Sequence, residues 1–208
     1  MKRPAVFIDF QGTLGGGGLD DIISLEFFPF SIKAIKSLND NGILAVGITN
    51  QSHISKGGLT MEAYLNKLQA LKDELSFHNA YFDAVYCCPH THKDQCSCKK
   101  PLTGMIDKAN EDFDIDMPHS YVIGDTGMSD IVLARNINAK GVLVLTGLGK
   151  SSLEESRHTW KDTEADHIAD NVYDAVKWIL HDINQWKHQE VLDRAVSELK
   201  QDNSNTGY

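Results

Sequence analysis

A chain of 208 residues, 41% hydrophobic and 24% charged, is ordinary globular material, long enough for one domain and an appendage. Its net charge of -9 argues against nucleic acid and anionic membranes as partners. No apolar run approaches the ~20 residues needed to span a bilayer, and Asp9 interrupts the first one too early for a signal peptide. The sequence reads as a cytoplasmic protein, and a monomer is expected.

Short apolar runs alternate with helical patterns. Residues 5–9 predict a strand. Residues 30–39 predict a helix with Ile32, Ile35 and Leu38 on one face, ended by Asn41-Gly42. Residues 43–48 predict a buried strand. Residues 61–75 predict a helix whose stripe is Tyr64, Leu65, Leu68, Leu71 and Leu75. A strand is expected over 82–86, and a helix opening at Pro101 and running to about 112. Then follow a strand over 121–124, a helix over 129–136 and a strand over 142–145. Strands separated by helices imply an α/β fold, a Rossmann-like doubly wound parallel sheet with right-handed crossovers.

Beyond Leu148 the pattern changes. Residues 150–166 are polar and read as a surface excursion. Val172, Ala175, Val176, Ile179, Leu180 and Ile183 form one helical stripe; Val191, Leu192, Ala195, Val196 and Leu199 form another. The chain therefore divides into a core over 1–150, a helical extension over 151–200 that completes or flanks it, and a disordered polar tail over 201–208.

Polar residues follow three of the predicted strands: Asp9, then Thr49-Asn50, then Asp125. Ligands of doubly wound sheets bind at the carboxyl ends of the strands, so the three segments converge on one site. A carboxylate at such a strand end can attack an electrophile or bind a metal. Gly15–Gly18 is a glycine run, but no Gly-Lys-Ser/Thr follows it, which argues against a P-loop. It reads as a flexible loop leaving the strand beside Asp9, placed to border the entrance.

All four cysteines lie between Cys87 and Cys98, a cluster suited to metal binding rather than to stapling distant segments. Cys88, His90, Cys96 and Cys98 make a Cys₃His set, a usual ligand set for structural Zn²⁺. In extended chain, residues two apart point the same way, so each pair can pinch one ion. Four protein ligands leave no open position. The metal would fix a loop over 87–101 that leads into Lys99-Lys100-Pro101. Cys87 and His92 lie near enough to compete, and spacing alone does not separate them.

Four pieces now stand in order: DFQGT (9–13), TNQS (49–52), KKP (99–101) and GDTGMSD (124–130). In order and spacing they resemble the haloacid dehalogenase (HAD) superfamily of phosphotransferases over roughly residues 6–148. The resemblance implies the HAD fold, an aspartyl-phosphate intermediate on Asp9, and Mg²⁺ held by Asp9, the backbone carbonyl of Gln11, Asp125 and Asp130. It gives Thr49 to a phosphoryl oxygen and Lys100 to offsetting phosphate charge and restraining Asp9. Taken singly, each of these residues also suits turn or capping chemistry. CPH…CxCKKP further resembles the D-glycero-D-manno-heptose 1,7-bisphosphate phosphatases and related histidinol-phosphate phosphatases, which have little or no cap domain. Too few residues separate Thr13 from the first helix for a large cap. TNQS followed by Lys56-Gly57 is similar to that group's typical TNQSGIARG. Asn50, Gln51, Ser52, Lys56 and Lys99 are then candidates for contacting a small phosphorylated sugar, Lys99 standing where the group often carries Arg. Lysine keeps the charge but loses the bidentate fork, so another sugar phosphate or histidinol phosphate also fits.

Gln11 departs from the resemblance. The second Asp of the motif protonates the leaving alcohol and then deprotonates water, and an amide does neither at neutral pH. General acid–base catalysis is worth ~10²–10⁴-fold. The chain is then a phosphatase slowed by the amide or using a good leaving group, a phospholigand-binding or regulatory protein of impaired activity, or the bearer of a deliberate substitution.

Overall fold

In the computed structural model, residues 2–205 are described, with side chains as far as Glu198. Six parallel strands form one sheet: β1 (Ala5–Ile8), β2 (Leu44–Asn50), β3 (Ala84–Cys88), β4 (Tyr121–Gly124), β5 (Lys140–Val144) and β6 (His167–Ala169). Their order is β3-β2-β1-β4-β5-β6, so the sheet reverses direction of growth between β1 and β4. That reversal opens a crevice at the carboxyl ends of β1 and β4. β1 is buried along its whole length, as a central parallel strand covered on both faces must be. Phe7, Val46 and Val122 pack with Met105, Ile106 and Ala109 of α3 (Gly104–Phe113).

The helices on the flanks follow their apolar stripes. α1 (Ser31–Asp40) buries Ala34, Ile35 and Leu38. α2 (Met61–Phe77) is capped by the Thr60 hydroxyl, which accepts from the Ala63 N–H, and buries Tyr64, Leu68, Leu71 and Leu75. Leu65, expected in that stripe, is instead 53% exposed, because it lies one residue round the helix from Tyr64. No cap domain is inserted between Thr13 and α1; that stretch holds one 3₁₀ turn, Ile22–Ser24.

Several elements differ from expectation. α3 begins at Gly104 rather than Pro101, because Leu102 N–H closes a turn on the Lys99 carbonyl and Gly104 N–H bonds the Ser97 carbonyl. The helix expected over 129–136 begins as a π-turn, Gly127–Ile131, and becomes α4 (Val132–Asn136). Residues 150–166 are not a mere surface excursion. They hold α5 (Gly149–Leu153), and Trp160 is buried against Ile131 and Leu143 with its indole N–H on the Ser152 carbonyl. β6 then joins the sheet edge beside β5.

The molecule has two compact units, Met1–Val176 and Lys177–Tyr208. The first holds the whole sheet. The second consists of most of α6 (Val172–Asn205), one continuous helix where two stripes suggested two. Val191, Leu192 and Val196 are exposed on it. Of the tail expected to be disordered, 201–205 continue the helix and 206–208 lie outside the described residues. Among the described residues no helix is long and apolar enough to cross a membrane.

Candidate active site

The last residue position of β1 is followed by Asp9, whose N–H donates to the Ile123 carbonyl of β4 at 3.0 Å. That bond holds the carboxylate at the crevice between the two strands. The chain must then turn at once. Gly12 takes a φ of +77°, and a Cβ there would collide with the Asp125 carboxylate, so glycine is required on both counts. The turn brings Thr13 back, and its hydroxyl donates to Asp9 Oδ2 at 3.4 Å.

Lys100 arrives from the far end of the cysteine-bearing loop, 91 residues away. Its ammonium donates to Asp9 Oδ1 at 2.6 Å and to Asp130 Oδ1 at 2.7 Å. Asn50 pins its backbone from both sides: the amide oxygen accepts from Lys100 N–H at 3.0 Å, and the amide NH₂ donates to its carbonyl at 3.3 Å. The π-turn explains Asp130. Its carboxylate caps the turn by accepting from Thr126 N–H at 3.1 Å, while its own N–H returns to the Thr126 carbonyl. π-turns recur at functional sites because they re-aim one side chain. Asp125 is held by the Thr126 hydroxyl at 2.9 Å and by Leu148 N–H at 2.8 Å.

Asp9, Asp125 and Asp130 therefore converge, each offering a carboxylate oxygen within 4.8 Å of the others, and all three are buried. One ammonium cannot balance three carboxylates. Burial pushes Asp9 up to about 6 despite the pull of Lys100, with Asp130 adding to the rise. Burial, then Asp9 and Asp130, push Asp125 up to about 7. Burial opposes the Lys100 charge, but Asp130 and Asp9 outweigh it and hold the ammonium above its ordinary range. This is the electrostatics of a cation site: hard oxygen donors with surplus negative charge.

A pH effect on stability follows. Both carboxyls start from an ordinary value of 3.8 and are raised in the folded state, so the folded chain binds more protons than the unfolded one between about 4 and 7. Stability then falls as pH rises through that window. Metal-free protein is expected to melt lower at about pH 8 than at about pH 5, and added Mg²⁺ to restore more at the higher pH. Thermal melts in chelator and in Mg²⁺ across that range check this.

The carboxylates open into a cavity of about 280 Å³, bordered also by Gln11, Asn50, Gln51, Ser52 and Lys56. Thr49 is buried beside it, accepting from the Gln51 amide at 2.7 Å and donating to Gln11 Oε1 at 3.2 Å. Gly18, Leu19 and Asp20 line the mouth, where the glycine loop was expected. Lys99 does not line this cavity. Its ammonium donates to Ser52 Oγ at 2.6 Å, and it faces a neighbouring cavity of about 290 Å³ with Cys96 and Pro101. Ser52 in turn donates to the His90 carbonyl at 3.0 Å, tying the cysteine loop to the TNQS turn. His53, Thr126 and Ser129 also line the main cavity and were not singled out from sequence. Thr126 and Ser129 lie within GDTGMSD, and His53 directly follows TNQS.

Cys88, His90, Cys96 and Cys98 form a second cluster. Cys88 Sγ lies 3.7 Å from both Cys96 Sγ and His90 Nδ1, and His90 Nδ1 lies 3.2 Å from Cys98 Sγ. Sulfurs at the corners of a tetrahedron with Zn–S near 2.3 Å are about 3.8 Å apart, so the set fits that ion. Burial raises the Cys96 thiol, but the Lys99 and Cys98 N–H groups outweigh it and bring the group down to about 7. Cys87 falls outside the cluster because successive strand residues point to opposite faces; it faces Tyr64 of α2. His92 lines the neighbouring cavity instead.

A family model described as HAD-hydrolase-like matches residues 97–175. The chain is 35% identical over 169 residues to the D-glycero-beta-D-manno-heptose-1,7-bisphosphate 7-phosphatase of Yersinia pestis, covering 76% of this chain and 88% of that protein. It is 34% identical over 195 residues to the D-glycero-D-manno-heptose-1,7-bisphosphate 7-phosphatase of Thermosynechococcus vestitus, covering 86% and 96%. Its fold matches the crystal structure of D,D-heptose 1.7-bisphosphate phosphatase from B. bronchiseptica, complexed with magnesium and phosphate, with a TM-score of 0.77 at 23% identity, covering 88% and 99%.

Proposed function

The chain belongs to the HAD superfamily of phosphatases, in the heptose-bisphosphate phosphatase family, and from that premise we propose a Mg²⁺-dependent phosphatase acting on a heptose bisphosphate-like sugar phosphate through an aspartyl phosphate on Asp9. It is a phosphoric monoester hydrolase by membership. The observation that carries the reading is the Lys100 ammonium bridging Asp9 and Asp130 at the floor of a polar cavity.

Asp9 attacks phosphorus in line and the bond to the leaving alcohol breaks. Lys100 orients the attacking carboxylate and offsets the charge of the incoming phosphate. The Thr49 hydroxyl turns from Gln11 to donate to a phosphoryl oxygen. Asp9, Asp125, Asp130 and the Gln11 carbonyl would hold Mg²⁺, which when bound neutralises charge on the transferring group. Lys56, at the cavity edge, suits a polar or phosphorylated substituent of the substrate. Lys99 acts through Ser52, shaping the wall rather than meeting the sugar.

Gln11 slows this chemistry. The test is phosphate release from heptose 1,7-bisphosphate, other sugar phosphates and histidinol phosphate, comparing the native chain with Gln11→Asp. The native chain is expected to release phosphate in Mg²⁺ and not in chelator, and Gln11→Asp to raise kcat within the ~10²–10⁴-fold ceiling of general acid–base catalysis. Binding of ligand without release by either chain would favour the phospholigand-binding alternative.

Zn²⁺ in the Cys88, His90, Cys96 and Cys98 cluster would be structural, fixing the loop that delivers Lys100. Elemental analysis is expected to find about one zinc per chain. Cys98→Ser should lose it and lower the melting temperature, whereas Cys87→Ser should keep it.

A further inference from the structure

Gln11 leaves the cavity without its usual proton carrier, and the cavity wall holds a candidate replacement. His53 lines the same cavity as Asp9 and Gln11. Its Nδ1 lies 3.5 Å from Asp21 Oδ2, an ion-pair contact when the ring is protonated rather than a short hydrogen bond, and Nε2 is the nitrogen on the other side of the ring. Asp21 is itself held, since its Oδ1 accepts from the Ile23 N–H at 3.1 Å. The His53 carbonyl accepts from Gly58 N–H at 3.0 Å and Leu59 N–H at 3.2 Å, so the residue sits on a hydrogen-bonded turn. A carboxylate that orients an imidazole is the usual arrangement of a general acid–base histidine. The side chain is half exposed, as a group at the mouth of an open site must be.

Lys56 also lines the cavity, as the ammonium set toward a substituent of the substrate, and the acidic lining groups are held by partners. Asp9, Asp125, Asp130 and Lys100 are held in the ion cluster, and Asp20 accepts the Gly17 N–H at 2.5 Å. Thr126 and Ser129 are hydroxyls, too weakly acidic to donate. The sequence carries a matching departure: TNQSHISKG has His53 where the resembling pattern has glycine, in the same chain that has Gln11 where the pattern has Asp.

We propose that His53, oriented by Asp21, supplies the proton transfers that Gln11 cannot; the inference rests on the phosphatase reading above. As Asp9 attacks phosphorus, the imidazolium gives its Nε2 proton to the departing alkoxide oxygen, releasing a neutral alcohol. The neutral imidazole then takes a proton from water while the water oxygen attacks phosphorus. The bond from phosphorus to Asp9 breaks, the carboxylate is restored, inorganic phosphate leaves, and His53 is an imidazolium again.

The test is kcat for phosphate release, in Mg²⁺, for the native chain, His53→Ala, Gln11→Asp and the double variant, with melting temperatures as the folding control. In the native background His53→Ala is expected to lower kcat by about tenfold or more. In the Gln11→Asp background the loss should shrink to about twofold or less, because the restored carboxylate performs the same step. Equal losses in both backgrounds, a rise in KM alone, or loss with Asp20→Asn but not His53→Ala would overturn the assignment. If Gln11→Asp turns over while His53→Ala matches the native chain, the His53 assignment fails and the phosphatase reading stands. If no variant releases phosphate from any substrate offered, the phosphatase reading fails and the assignment falls with it.

Discussion

Asp9→Asn is expected to reduce phosphate release by on the order of 10⁵-fold or more while leaving the fold intact, because loss of a covalent nucleophile removes a pathway rather than a contact. The amide is nearly isosteric; its one oxygen can still accept from Lys100, and its NH₂ can donate to the Thr13 hydroxyl, which in the native chain donates to the other carboxylate oxygen. It cannot carry a phosphoryl group through turnover. The same change removes a carboxylate whose burial already disfavours its charge. Metal-free Asp9→Asn is therefore expected to melt at or above the native temperature near pH 8, and to gain less from Mg²⁺ because one oxygen ligand is weakened. Initial-rate assays with calorimetric melts check both halves. A variant that lost activity by unfolding would show the opposite shift in melting temperature.

Lys100→Met should fail in two ways at once. The Lys100 side chain is 3% exposed, and its ammonium contacts Asp9 and Asp130 at 2.6 and 2.7 Å. Breaking a buried pair by removing one partner leaves uncompensated charge and costs about 3–5 kcal/mol. Here two carboxylates lose their partner, with Asp125 close by. The destabilisation should be largest at alkaline pH, where Asp9 and Asp125 are ionised, and should ease as pH falls and those two protonate. Mg²⁺ should recover part of the stability by offsetting the same charge. It should not recover turnover, because the lysine also orients Asp9. Denaturant melts at two pH values, with and without Mg²⁺, check the first part; kcat at saturating Mg²⁺ checks the second.

How far the sequence anticipates the molecule depends on the range of the interaction. Buried parallel strands read clearly because they are short apolar runs ended by polar residues, so Ala5–Ile8, Leu44–Asn50 and Tyr121–Gly124 were legible along with Asp9, Thr49 and Asp125 at their ends. His167–Ala169 was not: three residues, with Ile168 45% exposed at the sheet edge, leave no apolar pattern. Trp160 looked like part of a polar excursion because its burial depends on Ile131 and Leu143, far away in sequence. The π-turn at Gly127–Ile131 was invisible for a related reason, since a side-chain bond from Asp130 to the Thr126 backbone sets it rather than any periodicity.

The site shows the same division. Motif order brought Asp9, Lys100, Asp125 and Asp130 onto one list, but that Lys100 spans Asp9 and Asp130 is a tertiary fact. Lys99 is legible as a charge but not as a direction: its ammonium lies against Ser52 Oγ, at the wall of the main cavity. His53 and Asp21 lie 32 positions apart on two different loops, and nothing in their local spacing joins them.

The central claim is that phosphate passes through a covalent bond to Asp9. The most direct measurement is mass spectrometry of the native chain acid-quenched during turnover of a sugar phosphate in Mg²⁺. The expected result is a phosphoryl adduct on the peptide bearing Asp9, absent from Asp9→Asn. Phosphate release by a chain that never carries an adduct on Asp9, or release that survives Asp9→Asn, would contradict it.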